Sequence, residues 1–316
     1  MLPDGPLRKR STKVLSAAFL LAGLALAPSA YAICPGRLSV EVLGSGGPIA
    51  ESARASTGYL VWIDGRSRLL VDAGGGVFLR YAESGARFND LDAVLISHFH
   101  ADHVADLPAI LNSGTFDGRR RPLAIVGPRG NEYFPGVGAF LGANFDGRTG
   151  AYRYLSGFLD GRFNLPRLEP IEVDPSDDRV VRVRVAPDVE LTAIPVRHME
   201  IPALGYVLRV EGQTIVFAGD QSVESPFFEE TLVGTNPALL IVHHAISEAP
   251  GQPRGLHRSP SSIGDLAAAL GAGRLVLGHN MRRALDAEDQ GMAAIRQVYA
   301  GPIEIAADHD CFVAIE

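Results

Sequence analysis

The sequence predicts a layered α/β fold, and two observations carry that expectation. Five apolar runs, at positions 91–96, 189–196, 214–218, 239–242 and 274–277, each lead into histidine or aspartate, at once or after one residue. In layered α/β folds the C-terminal ends of the strands gather at one edge, where ligands bind, so such a series assembles a site without any long loop reaching across. The length agrees: of 316 residues, about 284 remain once a leader of 32 is set aside, a size one domain accommodates.

The leader comes first in the chain. Arg8, Lys9, Arg10 and Lys13 form a basic segment, positions 14–27 are apolar, and Ala30-Tyr31-Ala32 matches an A-x-A cleavage signal. Residues 1–32 therefore read as a secretory signal peptide, with a domain over 33–316 that is periplasmic or secreted. Fourteen apolar residues are too few for a membrane span of about 20. Ile33 before Cys34 breaks the small-residue pattern of a lipoprotein signal, and no other stretch reads as transmembrane.

The run at 91–96 leads into Ser97-His98-Phe99-His100-Ala101-Asp102-His103. Residues two apart in extended backbone point the same way, so His98 and His100 can converge on one cation while Phe99 points elsewhere. Asp102 and His103 fall where the chain turns into a helix, displaced enough to serve a second cation. Imidazole and carboxylate without thiolate suit zinc, with manganese or iron as rivals. The later strands supply the missing ligand types in order: His198, Asp220, the pair His243-His244, and His279.

With these residues in place the chain resembles the metallo-β-lactamase superfamily, in the branch of ribonuclease Z and the related secreted arylsulfatases. The resemblance covers nearly everything after residue 36. Positions 40–48 (VEVLGSGGP) are similar to that branch's first strand and Gly-rich turn, and 69–74 (LLVDAG) to its strand-end aspartate motif. His243-His244-Ala245 stands where the family has HEA, with His244 in place of the glutamate. Gly255-Leu256-His257-Arg258-Ser259 resembles its GHS segment, interrupted by Leu256, and a helical stretch over 261–270 lies between His257 and His279.

The resemblance implies a four-layer αββα metallo-β-lactamase sandwich. It implies that His98, His100 and His198 hold one metal, Asp102, His103 and His279 a second, and that Asp220 bridges them, with two Zn2+ as cofactors (Mn2+ or Fe2+ possible). Two cations about 3.5–4 Å apart repel, which is why a bridging carboxylate and a bridging hydroxide belong between them; that hydroxide is the expected nucleophile, since metal coordination brings the pKa of water from about 15.7 to near 7. Asp102, His257 and His243 are the candidate catalytic residues. His257 is the candidate general acid, because an unliganded imidazole titrates near pH 6.5. Asp72 is the residue expected to orient a ligand histidine, the alternative being a turn cap before Gly74-Gly75-Gly76. Neighbours on a strand face opposite ways, so His243 is expected to face the site and to steer His257, while His244 reads as structural. His309 also reads as structural.

Between about 131 and 168 the chain is least family-like. Tyr133, Phe134, Phe140, Phe145, Tyr152, Tyr154, Phe158 and Phe163 suit an aromatic-walled lid, a dimer contact or plain core packing. Cys34 and Cys311 read as a disulfide joining the ends, against two free thiols. Its loop of about 277 residues sets a ceiling of roughly 5 kcal/mol.

Charge bears on partners. The totals of 29 basic and 36 acidic residues become 25 and 35 without the leader's four basic residues and Asp4, a net of −10, and every remaining basic residue is arginine. Gripping tRNA needs concentrated positive surface, so no nucleic acid partner is expected. Arg119-Arg120-Arg121 and Arg282-Arg283 read as solvated turns. The expectation is a dinuclear metal-dependent hydrolase of small anionic esters, phosphodiester or sulfate, a candidate homodimer and free of the membrane once the leader is removed. A lactonase or thioester hydrolase, a ribonuclease Z-like nuclease and a non-enzymatic metal-binding module are the alternatives.

Overall fold

A computed structural model describes residues 34–316; the signal peptide expected over 1–32 lies outside them. Fourteen strands among the described residues form two seven-stranded sheets. The first contains β1 (Leu38–Gly44), β2 (Gly58–Ile63), β3 (Arg66–Val71), β4 (Ala93–Leu95), β5 (Leu123–Pro128), β6 (Leu168–Val173) and β14 (Cys311–Ile315), ordered β14-β1-β2-β3-β4-β5-β6. The second contains β7 (Val181–Ala186), β8 (Val189–Val196), β9 (Ala203–Val210), β10 (Gln213–Phe217), β11 (Leu239–His243), β12 (Leu275–Gly278) and β13 (Ile303–Ile305), ordered β13-β12-β11-β10-β9-β8-β7.

An apolar layer including Val40, Val61, Val71, Leu191, Tyr206 and Ile241 fills the space between the sheets. Helices α1 (Val77–Glu83), α2 (Ala101–Val104), α3 (Leu107–Gly114), α4 (Val137–Phe145) and α5 (Gly157–Asp160) follow strands of the first sheet. The second carries α6 (Pro226–Leu232), α7 (Pro260–Leu270), α8 (Arg282–Leu285) and α9 (Glu288–Arg296). Separate apolar clusters join α1, α3 and α4 to the first sheet and α6, α7 and α9 to the second. The order is helix, sheet, sheet, helix, the αββα sandwich expected.

Strand composition follows from this layering. β11 (LLIVH) is buried on both faces and reads as a continuous apolar run, and β1 (LSVEVLG) is buried throughout although it carries Ser39 and Glu41, whereas β7 (VRVRVA) alternates because its outer face meets water. β3 to β6 pair in parallel, as do β10 to β13. β8 and β10 are each antiparallel to β9 and therefore run the same way. The C-terminal ends of β3, β4, β8, β10, β11 and β12 thus share one edge of the molecule. The helix expected over 261–270 is α7, begun by Pro260 at its first turn and ended by Gly271 at φ 69°, the asymmetry helices favour.

The segment expected as lid, dimer contact or packing contributes in part to the core. Phe145 and Phe158 are fully buried with Val137, Leu141 and Leu155 against the first sheet, and Phe140 packs on Phe99 with ring centroids 5.0 Å apart. Tyr133, Tyr154 and Phe163 are exposed. Of the eight, Phe134 approaches the ligand cluster, its ring 5.9 Å from that of His100.

The arginine runs also differ from expectation. Arg119 is buried, donating to the carbonyls of Phe88, Leu91 and Pro122. The guanidinium fork thus satisfies several backbone carbonyls at once. Cys34 and Cys311 form the expected disulfide, their Cα atoms 5.6 Å apart. No helix of the described residues is long and apolar enough to cross a membrane.

Candidate metal centre

Each strand end delivers its side chains to one cluster. β4 ends before Ser97 and His98, His100 caps α2, and that helix carries Asp102 and His103. His198 follows β8, Asp220 follows β10, His243 ends β11 and His279 follows β12. Two of the positions are strained: Asp72 and His279 hold φ of 59° and 50°, a left-handed conformation that costs of order 1–3 kcal/mol and collects at functional sites.

Ligand atoms of His98, His100, His198 and Asp220 lie within 4.8 Å of one another, and so do those of Asp102, His103 and His279. These are the two groupings expected from the sequence. Asp220 joins them through one oxygen. Its Oδ2 lies 3.8 Å from His98 Nε2, 3.6 Å from His198 Nε2, 3.7 Å from His103 Nε2 and 3.6 Å from His279 Nε2. Its Oδ1 accepts from His243 Nδ1 at 2.5 Å.

The cluster fits a pair of cations. The buried Nε2 atoms of His98, His103 and His198 have no hydrogen-bond partner among the described residues, and buried polar atoms are otherwise almost always paired. Charge argues the same way. Burial opposes ionisation of Asp220, yet His279, His257, His103 and His243 hold its pKa well below the usual carboxylate range. Asp102 is likewise lowered, by His103 and His279 against burial. Burial keeps His98, His100 and His198 below their ordinary value. His103 alone is raised, Asp72, Asp102 and Asp220 outweighing its burial. Two carboxylates held ionised in a sealed site, beside His98, His100 and His198 kept neutral by burial, are donors that bound cations would satisfy, since a buried charge is costly unless it is paired or coordinates a metal. With no thiol present, the donor set suits zinc, manganese or iron.

The rear nitrogens explain how the rings are aimed. His103 Nδ1 donates to Asp72 Oδ2 at 2.8 Å, so Asp72 stands where an orienting carboxylate was expected rather than as a turn cap. Ser97, which sequence reasoning passed over, binds both oxygens of Asp72, through its amide at 2.7 Å and its hydroxyl at 2.8 Å. Only its place directly before the histidine motif could have signalled this. His198 Nδ1 donates to the Leu256 carbonyl at 2.8 Å, so the extra residue in the glycine and histidine segment supplies a backbone acceptor. His243 also needs room: it lies over Tyr59, and a Cβ on Gly278 would fall 2.2 Å from the Tyr59 hydroxyl.

His243 and His244 face opposite ways, as strand geometry requires. His243 stacks on His279 at 4.8 Å, while His244 Nδ1 donates to Asn280 Oδ1 at 3.2 Å, away from the cluster. The expected contact of His243 with His257 is replaced by a shared partner, since His257 Nδ1 lies 3.8 Å from the Asp220 oxygen that His243 binds. His257 also departs from an ordinary imidazole. Burial pushes its pKa down to about 3, Asp220 opposing and His279 reinforcing the shift. It is therefore neutral near pH 7, a hydrogen-bond donor at one nitrogen rather than a reservoir of charge. His309, expected to be structural, bridges Glu41 and Glu83 at 3.0 Å each, away from the cluster.

A cavity of about 390 Å³ opens onto the cluster, walled by Pro48, Leu256 and Met281 and by Arg283. Arg283 is no solvated turn residue. Its Nε donates to the Ala245 carbonyl at 2.8 Å and its Nη2 approaches Met281 Sδ at 3.2 Å. Arg282 is held outside by Glu51. A one-residue offset in the short helix α8 separates them, which a run of two arginines in sequence does not reveal.

Comparison with known proteins agrees with this geometry. Residues 67–280 match the family described as the beta-lactamase superfamily domain. A protein named ribonuclease Z from Mycobacterium marinum is 32% identical over 282 residues, covering 86% of this chain and 96% of its own. Human tRNase Z, short form, superposes with a TM-score of 0.67 at 18% identity, covering 87% of this chain and 99% of its own. The metallo-β-lactamase fold protein YhfI from Bacillus subtilis gives 0.66 at 22% identity, with the same coverages.

Proposed function

The chain belongs to the metallo-β-lactamase superfamily, as a hydrolase with ribonuclease Z relatives, and from that premise we propose that it cleaves small anionic esters, phosphodiester or sulfate, with two Zn2+ ions. When bound, such cations supply Lewis acidity and an ionised water at neutral pH. His98, His100 and His198 would hold one, Asp102, His103 and His279 the other, with Asp220 Oδ2 between them. Asp72 and the Leu256 carbonyl fix the rear protons of His103 and His198, leaving each Nε2 as a lone-pair donor. His243 fixes the far oxygen of Asp220. His257, on the cavity wall, would donate a hydrogen bond to a leaving oxygen.

The observation that carries the substrate class is the cavity. Apart from the ligand cluster and His257 it is lined by Pro48, Ala101, Leu256 and Met281 and by one arginine, Arg283. A single guanidinium beside two cations would neutralise one phosphate or sulfate. The disulfide accords with export to an oxidising compartment. A second reading, cleavage of tRNA precursors, draws support from the name of the M. marinum relative, against a net charge of −10 for the exported chain.

Zinc-loaded protein should turn over bis(4-nitrophenyl) phosphate or 4-nitrophenyl sulfate faster than any tRNA precursor. Faster cleavage of the precursor, with a steep inverse dependence on salt, would replace this reading with the nuclease. Turnover of lactones or thioesters alone would replace both.

A further inference from the structure

Among the histidines of the second metal position, His279 lacks the device that aims His103. Its Nδ1 is buried without a hydrogen-bond partner among the described residues, although its backbone is in the strained left-handed region at φ 50°. Something else must hold the ring. It stacks on His243 on one side. On another it lies against the Gly-rich turn, so close that a Cβ on Gly47 would fall 2.7 Å from His279 Cε1. The ring is therefore roofed by backbone, and its position is only as fixed as that turn.

The turn is held from the opposite end of the chain. Asp308, in the loop between β13 and β14, accepts from the Ser45 amide at 3.0 Å and the Ser45 hydroxyl at 2.7 Å through Oδ1. Its Oδ2 accepts from the Ala55 amide at 2.9 Å and from Arg80 Nε at 3.2 Å. One carboxylate thus ties together both strands of the loop that carries Gly47 and anchors them to α1. The same loop reaches His279 directly. The Asn280 amide donates to the Ser45 carbonyl at 2.7 Å, and Asn280 Nδ2 donates to the Ala306 carbonyl at 3.1 Å. Arg54 closes the ring by donating to the Ser45 hydroxyl and to Ala306.

We infer that Asp308 is a positioning residue for His279: through Ser45 and the backbone of Gly47 it holds the imidazole that no rear hydrogen bond aims. The inference rests on the assignment of His279 to the second metal position. Removing Asp308 leaves the amides of Ser45 and Ala55 without their acceptor, frees the turn, and lets the ring swing. The outer partners of metal ligands typically contribute 10–100-fold in affinity, and a support acting through packing should lie near the lower end.

Cobalt(II) titration of the metal-free protein, followed by visible absorption and calorimetry, separates the possibilities. The wild type should bind two ions. Asp308→Ala should bind the first as the wild type does and the second about tenfold more weakly, with an altered absorption band for the second ion only. Asp308→Asn, which keeps one acceptor oxygen and the same shape, should fold well and show a smaller shift of the same sign. Leu232→Ala, at the end of α6 in the apolar cluster that joins it to the second sheet, is a destabilised control that should leave both affinities unchanged. Unaltered second-ion binding in both Asp308 variants would overturn the inference while leaving the metal assignment standing, and equal weakening in the Leu232 control would assign the effect to general stability. A wild type that binds fewer than two ions would overturn the assignment and the inference together.

Discussion

Asp72→Asn tests whether the tautomer of His103 is set from behind. The substitution preserves shape, and asparagine tolerates the left-handed backbone that Asp72 adopts at φ 59°. Its carbonyl oxygen can still accept from the Ser97 amide, now 2.7 Å from Oδ1. The other oxygen becomes an NH2 group facing His103 Nδ1 at 2.8 Å. Two donors cannot face each other, so the imidazole must shift its proton to Nε2, the atom that points at Asp102 and Asp220. The lone pair needed for a metal is then capped. Loss of such a partner costs 10–100-fold in metal affinity, about 1.4–2.7 kcal/mol, and a forced tautomer should fall at the upper end. The Ser97 hydroxyl, 2.8 Å from Oδ2, can turn to accept from the new NH2, so the cost to folding should stay near 1 kcal/mol. Calorimetric zinc titration reads the first quantity and urea unfolding of the metal-free protein the second. Second-ion affinity within twofold of the wild type would refute the reasoning, and so would an affinity loss accompanied by an equal loss in the first ion.

Other expectations follow from single contacts. Arg283→Gln should raise KM for bis(4-nitrophenyl) phosphate by about 10–100-fold, the usual scale for a hydrogen bond to a charged group, with metal content unchanged; an unchanged KM would remove Arg283 from substrate recognition. Replacing both Cys34 and Cys311 by serine should lower unfolding free energy by at most about 5 kcal/mol without loss of bound metal, because β14 remains paired with β1; metal loss in folded protein would contradict this. His309 is raised above its ordinary pKa, Glu41 and Glu83 outweighing its burial. Its contribution is therefore complete below about pH 6.5, the unfolded value, and disappears as pH rises through the folded value. Melting temperature should fall across that range more steeply in the wild type than in His309→Gln, and parallel profiles would deny the clasp a role.

The parts legible in the sequence were those written as periodicity and strand-end chemistry. Apolar runs ending in histidine or aspartate located β4, β8, β10, β11 and β12 and the residues they present, because a strand's direction fixes which end reaches the shared edge. Opposite facing of His243 and His244 followed from the pleat alone. What could not be read depended on contacts distant in sequence. Ser97 beneath Asp72, the Leu256 carbonyl behind His198 and Asp308 beneath the Gly-rich turn are defined only once separate strands lie side by side. The pKa of His257 was misjudged because burial, which the sequence does not display, outweighs its neighbours. Aromatic richness between 131 and 168 left its role open for a related reason: composition does not say which face of a short helix meets the core, and Phe145 and Phe158 meet it. Arg119 and Arg283 belong with them, one sealed among carbonyls and one on the cavity wall.

Metal content per chain tests the central claim most directly. Elemental analysis of folded, zinc-loaded protein should give two ions per chain, and Asp220→Ala should give one or none while retaining wild-type circular dichroism, because Asp220 Oδ2 is the one carboxylate oxygen within 4 Å of Nε2 atoms from both groupings. Two ions per chain in Asp220→Ala, with hydrolysis undiminished, would contradict the account.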